Sequence, residues 1–392
     1  MLTPAARPKL PGGVWALGVT SMLMDLSSEL VHSLLPIFMT TVLGASIGVL
    51  GAVEGIAESL ALITKIFSGT LSDYWGRRKP IALFGYGLAA LTKPVFPLAS
   101  SVALVAGAQF VDRIGKGIRG APRDALVADL THADHRGAAF GLRQSLDSLG
   151  SLAGPGAALA LMWMFHNDVR SVLWFAPIPA AIAVVVLIFA VKEPAASPGR
   201  AKPEMLRWKS LSRLGPGFWG IVILGGVFTL ARFSEAFLVL RAQNSGLSIG
   251  WIPLVLVVMN TTYMLVAYPA GIAADRGHQK ILLLSGLAVL IAADTVLATA
   301  PSPELVLAGA ALWGIHMALT QGLLAKLVAD TTPPVLRGTG FGIFNLVAGI
   351  STLFASLIAG LLWSNAGPFY TFAAGAVFSG IAFLGVLFQK RD

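Results

Sequence analysis

The fold is decided by a stretch that occurs twice: Gly69-Thr-Leu-Ser-Asp73-Tyr-Trp-Gly76-Arg77-Arg78-Lys79 returns in degraded form as Gly271-Ile-Ala-Ala-Asp275-Arg276-Gly-His-Gln-Lys280. Other pieces recur in the same order and at the same spacing, namely 44–48 as 246–250, 126–129 as 327–330, and 136–141 as 337–342. Such an ordered set of matches indicates an internal duplication of the whole chain.

The composition places the chain in a lipid bilayer. Hydrophobic residues make up 56% and charged residues 12% of the 392 positions, against about 45–50% and about 25% in soluble proteins. The absence of cysteine excludes disulfides and thiolate ligands. Hydrophobic runs of about 20 residues can span a bilayer, and we read twelve of them, predicting an all-α membrane protein, near 14–41, 48–70, 80–99, 102–123, 137–163, 171–191, 216–241, 249–272, 280–300, 304–329, 338–363 and 369–389.

Basic residues are distributed unevenly between the two sets of loops. The flank of the first segment and the even-numbered loops hold most of them, including Arg77, Arg78, Lys79, Arg276 and Lys280. The opposite loops hold little beyond Arg170 and Arg241. This asymmetry predicts cytoplasmic N- and C-termini. It also explains the net charge of +9, so no nucleic-acid partner is expected.

A Pro- and charge-rich stretch separates the two copies. We predict an N-terminal six-helix bundle over 1–192, a cytoplasmic linker over 193–214 and a C-terminal six-helix bundle over 215–392. Membrane halves related by a pseudo-two-fold axis along the bilayer normal are typical of transporters, with the site at the interface between the repeats.

The loop between segments two and three resembles the loop signature of the major facilitator superfamily (MFS) through Gly69, Asp73, Gly76, Arg77 and Arg78. With twelve segments and a duplicated half, the resemblance covers essentially the whole chain. It implies the MFS fold, alternating access, and a gating role for this loop in stabilising one access state. The second copy keeps Asp275 and Arg276, but it lacks one residue and carries Gln279 in place of an arginine, so its contribution should be weaker.

Two further motifs resemble those of the drug/proton antiporter branch of this family. Arg113-x-x-x-Gly117 in segment four resembles its arginine motif, although Lys116 replaces the usual glutamine. Segment five carries Gly150-x-x-x-Gly154-Pro155, which resembles the antiporter motif. Small residues also let membrane helices approach closely in unrelated proteins, so helix packing alone is the alternative interpretation.

Several ionisable residues lie deep in the predicted segments. At 1.5 Å per residue, Asp25 is roughly 16 Å into segment one, and Glu29 and His32 follow on the same helix face. Intramembrane charges are costly and usually functional, and a carboxyl group in an apolar medium binds its proton more readily than one in water. We therefore predict proton-coupling or substrate-binding roles for these residues and for Glu58, Arg113, Arg143 and Asp147, with structural ion pairing as the alternative.

The second half carries fewer charges, which suggests that the first half handles protons and the second shapes the substrate site. Arg232, Glu235 and His316 are its candidate residues. A lone histidine in a helix can equally be held by a neighbour. Because imidazole and carboxylate groups also bind metals, Asp25, His32 and His316 form an alternative metal set.

No P-loop and no His-Glu-x-x-His motif occurs in the chain, so neither an enzyme nor a cofactor is expected. The sequence favours a monomeric secondary transporter of the bacterial inner membrane that exports a small organic molecule in exchange for protons. One alternative is transport of a metal ion or metal chelate of iron or copper. A second is a membrane sensor that transports nothing.

Overall fold

The computed structural model describes residues 10–132, 135–193, 214–276, 278–333 and 336–388. Within these ranges the chain forms α-helices joined by short turns. The first half contains α1 Gly12–Ile37, α2 Ile47–Trp75, α3 Lys79–Thr92, α4 Val95–Leu98, α5 Val102–Asp129, α6 Arg136–Met164, α7 Val169–Leu173 and α8 Pro177–Ala190. The second half contains α9 Pro216–Leu230, α10 Ala236–Asn244, α11 Leu254–Asp275, α12 Gln279–Thr299, α13 Pro303–Thr331, α14 Arg337–Ala366 and α15 Pro368–Phe388.

Nine helical stretches in the described part of the chain are long and apolar enough to cross a membrane. The remaining predicted segments correspond to α5 and α6, which carry many ionisable residues, and to the interrupted pair α9 and α10. The predicted all-helical membrane fold is confirmed, and twelve spans are consistent with these helices.

Three predicted segments are each divided between two helices: α3 and α4, α7 and α8, and α9 and α10. The first break falls at Pro94, which has no N–H to donate to a helical carbonyl. The third covers residues 231–235, which we call the α9–α10 break. There the Ser234 hydroxyl accepts a hydrogen bond from the Ala236 N–H at 3.2 Å, a local bond that competes with a continuous helix.

The helices pack mainly within their own half. In the first half, α1 packs on α6 and α8, and α5 packs on α2 and α3. In the second half, α13 packs on α11 and α12, α12 on α15, and α9 on α14. The two halves meet along the pairs α2–α14 and α6–α11.

Glycines allow the close approach of α1 and α6. Gly150 and Gly154 are buried in α6, and a Cβ atom added to Gly154 would lie 2.7 Å from the Cβ of Glu29 and 2.8 Å from the Leu26 carbonyl oxygen. A larger residue would therefore separate the two backbones. Pro155 is also buried, inside the same helix.

Successive spans joined by short loops run antiparallel, so the molecule has two ends. We call the end that holds Gly12 and Phe388 the terminal face, and the other end the opposite face. The halves touch closely near the opposite face: a Cβ atom on Gly51 of α2 would lie 3.0 Å from the Cα of Gly360 of α14. Trp163 and Trp251 also meet there edge to face across the halves, with centroids 6.4 Å apart. The structure is therefore closed toward the opposite face.

The loop after α2 is held by charged contacts at the terminal face. Gly76 ends α2 with a φ of 65°, a left-handed conformation that suits glycine. The Arg78 side chain is buried and lies 2.8 Å from the Asp129 carboxylate. The backbone N–H groups of Arg78 and Lys79 each donate to the Glu193 carboxylate at 2.7 Å.

Other parts of the predicted gating loops cannot be placed in the same detail. Arg77 and Arg276 are exposed. The side chains of Asp73 and Asp275 lie outside the described residues, and so does the predicted linker apart from its ends at Glu193 and Leu214. The gating roles of the two aspartates therefore stay predictions.

Candidate functional site

A polar cavity of about 420 Å³ lies between the two halves, and both contribute to its wall. We call it the central cavity. The first half and the α9–α10 break supply its ionisable groups, which are Glu29, His32, Glu54, Glu58, Arg113, Lys116, Arg232 and Glu235. Much of its apolar wall comes from the second half, through Phe228, Phe233, Leu256, Leu324 and Phe344. Six of the ten predicted site residues therefore share one cavity: Glu29, His32, Glu58, Arg113, Arg232 and Glu235.

Arg113 is the best-anchored charge of the cavity. Its side chain is 2% exposed, and its guanidinium lies 3.1 Å from the Glu58 carboxylate and 2.9 Å from Nδ1 of His32. Because guanidinium groups only donate hydrogen bonds, Nδ1 of His32 must accept, and the imidazole is neutral in this arrangement. Arg113 thus joins α5 to both α1 and α2.

Glu54 links the two halves across the cavity wall. One carboxylate oxygen accepts a hydrogen bond of 2.8 Å from Nε2 of Gln109 in the same half. The other accepts a hydrogen bond of 2.9 Å from the Ser234 hydroxyl in the α9–α10 break. Neither Glu54 nor Lys116 belongs to the predicted set, although the four-residue spacing of Glu54 from Glu58 on one helix face is a usable signal.

Four charged side chains of the cavity lack a direct counter-ion. Glu29, Lys116, Arg232 and Glu235 form no ion pair within 4 Å among the residues that the structure describes. Charges kept out of bulk water need water, a proton or a ligand to compensate them. The cavity thus offers two groups of each sign for binding.

Three predicted residues lie in a different cluster, formed by α1, α5 and α6. Asp147 contacts Arg143 at 3.0 Å and Arg123 at 3.6 Å. Asp25 lies 3.7 Å from Arg119. These aspartates are paired with arginines, as the ion-pairing alternative expects, and they do not line the central cavity.

A further ion pair is buried behind the cavity. The Lys93 ammonium lies 2.8 Å from the Asp112 carboxylate, and their side chains are 1% and 4% exposed. Lys93 also donates to the Ser28 hydroxyl at 3.0 Å. Through these contacts Lys93 joins the end of α3 to Asp112 of α5 and Ser28 of α1.

His316 is separated from the cavity by its own contacts. It is fully buried, its Nδ1 lies 2.7 Å from the Gly286 carbonyl oxygen, and its ring stacks on Phe228 with centroids 5.3 Å apart. Among the described residues, no group of three or more His, Asp or Glu side chains is arranged to hold a metal ion. Asp25, His32 and His316, the alternative metal set, instead contact Arg119, Arg113 and Gly286 respectively.

Two packed helical halves around a polar cavity are typical of membrane transporters. Residues 17–259 and 234–392 match the sequence model of the Major Facilitator Superfamily, and this chain belongs to that family. The resemblance carried by the repeated loop motif is therefore confirmed.

Relatives of the chain support this assignment. An uncharacterized MFS-type transporter of Methanocaldococcus jannaschii is 30% identical over 386 residues, which cover 97% of this chain and 95% of the relative. Multidrug resistance protein MdtH of Photorhabdus laumondii is 30% identical over 162 residues, or 41% of this chain and 39% of that protein. The crystal structure of a D-xylose–proton symporter shares the fold, with a TM-score of 0.73 at 16% identity over 96% of both chains. The chain is thus a multi-pass transporter and not an enzyme.

Proposed function

We propose that this protein exports a small organic molecule in exchange for protons, by alternating access of the central cavity to the two sides of the membrane. The observation that carries the proposal is the charge balance of the cavity wall. Among the described side chains, four carboxylates face three cations there, with His32 neutral. One bound proton makes this wall neutral, and a positively charged group on a substrate does the same. A proton and a cationic substrate can therefore replace each other, which is the requirement for antiport.

Glu29 is the proton carrier in this proposal. It lines the cavity from α1 and has no counter-ion within 4 Å among the described residues, whereas Glu58 is held by Arg113 and Glu54 by two hydrogen-bond donors. A carboxyl group without fixed partners can bind and release a proton with the least rearrangement of its surroundings. Glu235, from the other half, completes the acidic side of the site.

The orientation follows from the basic loops. If the terminal face is cytoplasmic, as the positive-inside rule requires, the structure is closed toward the outside and represents the state that loads substrate from the cytoplasm. The relative named as a multidrug resistance protein supports export as the direction. The phenylalanines of the second half provide an apolar surface for the organic part of a substrate. We place the protein in the bacterial inner membrane.

Transport in proteoliposomes under an imposed pH gradient tests the proposal, with a panel of cationic, zwitterionic and anionic organic molecules. We expect uphill movement of a cationic compound. Glu29→Gln should abolish gradient-driven transport and weaken the binding of a cationic compound, because the amide leaves the cavity wall neutral, as the bound proton does. Glu304→Gln, the same change at an exposed carboxylate outside the cavity, is the matched control. Unaltered gradient-driven transport by Glu29→Gln would remove Glu29 from this role.

A further inference from the structure

Asp294 is a buried carboxyl group that the proposed function does not use. It lies in α12, inside the second half, and is 0% exposed. Neither of its carboxyl oxygens has a hydrogen-bond partner among the described residues. An ionised carboxylate in such a place would be very unfavourable, so the uncharged form fits this conformation.

The surroundings of Asp294 are aromatic. A Cβ atom on Gly375 of α15 would lie 2.5 Å from Oδ2 of Asp294 and 3.0 Å from Cε1 of Phe233, so the carboxyl group and this ring meet over the glycine. The rings of Trp313 and Phe372 lie 5.3 and 5.4 Å from that of Phe233. Glycine is thus needed at position 375 to make room for the carboxyl group.

Other buried polar atoms nearby also lack partners among the described residues. They are Nε1 of Trp313, on α13, and the hydroxyl of Ser379, which lies one turn after Gly375 on the same face of α15. The described ionisable side chains on the elements around α12 are Glu304, His316 and Asp330 on α13, Tyr370 on α15, Tyr263 and Tyr268 on α11, Arg232 and Glu235 in the α9–α10 break, and Arg241 on α10, which donates to the carbonyl oxygens of Leu297 and Ala300. None of them forms a hydrogen bond or ion pair with Asp294.

Phe233 connects this buried carboxyl group to the transport site. Its ring lines the central cavity, and it belongs to the α9–α10 break rather than to a regular helix. The next residue, Ser234, donates the hydrogen bond to Glu54 of the first half. A movement of one half against the other therefore acts directly on the segment that positions Phe233.

We propose that Asp294 is a second proton-binding site, located in the second half, and that the Phe233 ring separates it from the central cavity. In the conformation of the structure, which is closed toward the opposite face, the ring keeps water away from Asp294, and the carboxyl group stays uncharged. Displacement of the ring when the halves move would admit water and let the proton leave. The part that this site plays in transport depends on the proposed proton coupling.

Labelling with dicyclohexylcarbodiimide, an apolar reagent for protonated carboxyl groups, tests the site in proteoliposomes without substrate or gradient. Peptide mass spectrometry should find Asp294 modified, whereas Asp112, which is equally buried but paired with Lys93, serves as the unreactive internal control. Phe233→Ala should raise the labelling rate of Asp294 several-fold at low pH. In this variant the rate should also fall as the pH rises, because the hydrated carboxyl group then ionises. Phe372→Ala removes a neighbouring ring that does not line the cavity, and it should change the labelling rate and its pH dependence much less.

Two results would overturn the proposal, provided that melting curves show each variant to be folded. One is a lack of labelling at Asp294 in both the native protein and Phe233→Ala. The other is a Phe233→Ala variant with the native rate and pH profile, since the ring would then not control access. Because no transport is measured, these outcomes are independent of the Glu29→Gln result, which bears only on the proposed function.

Discussion

The hydrogen bond between Ser234 and Glu54 makes a sharp prediction about the equilibrium between access states. It joins the two halves at 2.9 Å, in the state that is closed toward the opposite face. Ser234→Ala removes it and leaves the carboxylate with its second donor, Gln109. The variant should therefore open more readily toward the opposite face.

The size of the effect follows from the type of bond. A hydrogen bond to a charged group contributes about 1.5–3 kcal/mol, and each 1.4 kcal/mol corresponds to a tenfold change in an equilibrium constant. If Glu54 is ionised, Ser234→Ala should lower the ratio of closed to open molecules by about 10- to 150-fold. If it is protonated, the neutral bond contributes about 0.5–1.5 kcal/mol and the shift should be smaller.

The structure supplies a matched control at the same carboxylate. Gln109→Ala removes a bond of nearly equal length, 2.8 Å, but both partners belong to the first half. It should therefore leave the equilibrium between access states almost unchanged. Ser234→Thr keeps the hydroxyl and should behave like the native protein.

Double electron–electron resonance measures the effect directly. The chain has no cysteine, so spin labels can be attached at Ser100→Cys and Asn365→Cys, two exposed positions at the opposite face, one in each half. Ser234→Ala should move the distance distribution toward longer values. If Gln109→Ala moves it equally, or if Ser234→Ala does not move it, the bond across the halves does not set the equilibrium.

Three further predictions follow from the packing. Lys93→Met leaves Asp112 as a buried ion without its partner and should lower the free energy of unfolding by about 3–5 kcal/mol. The double variant Lys93→Met/Asp112→Leu should recover most of this stability in thermal melts. No recovery would mean that packing and not charge is responsible. Gly154→Ala should lower the free energy of unfolding by about 1–3 kcal/mol, while Gly156→Ala should not, because no atom of another described element lies within 4 Å of the added Cβ. Equal melting temperatures of the two variants would refute close helix approach as the reason. Zinc, copper and iron should leave the melting temperature unchanged, because no cluster of three or more His, Asp or Glu side chains that could hold a metal ion occurs among the described residues. A rise in melting temperature that saturates with metal concentration would support the metal-transport alternative.

The fold could be predicted from the sequence because a few strong constraints act together. A spanning helix must be long and apolar, and the repeated loop motif indicates two halves. Both features can be recognised in a single sequence. The breaks at Pro94 and at 231–235 were not predicted, because average hydropathy describes side-chain polarity and not the backbone bonds. At the α9–α10 break, Ser234 contacts a residue of the other half, and no local sequence pattern indicates such a contact.

The site could be predicted only in part, for a geometric reason. Depth along a helix places Asp25 and Glu29 one turn apart near the bilayer centre, but it does not say which neighbour each side chain meets. In the structure Asp25 faces Arg119 while Glu29 faces the central cavity. The same distinction separates His316, which stacks on Phe228 inside its own half, from Arg232, which reaches the cavity. The direction in which a side chain points around the helix axis, and the neighbour that it meets, depend on tertiary packing. That packing cannot be predicted from a single sequence.

The α9–α10 break is where a change of charge in the cavity can become a movement of the protein. It carries Arg232 and Glu235, which have no direct counter-ion in the described part of the chain, and Ser234, which donates a hydrogen bond to Glu54 of the other half. By contrast, Arg113 is fixed by Glu58 and His32, so it resists displacement. Residues in a helix interior form regular backbone hydrogen bonds, whereas Ser234 in the break is held by side-chain bonds: its N–H donates to the Ser356 hydroxyl at 3.2 Å and its own hydroxyl donates to Glu54 at 2.9 Å. When a proton or a cationic group neutralises the acidic side of the cavity, we therefore expect the break to rearrange first and the packed helices to follow.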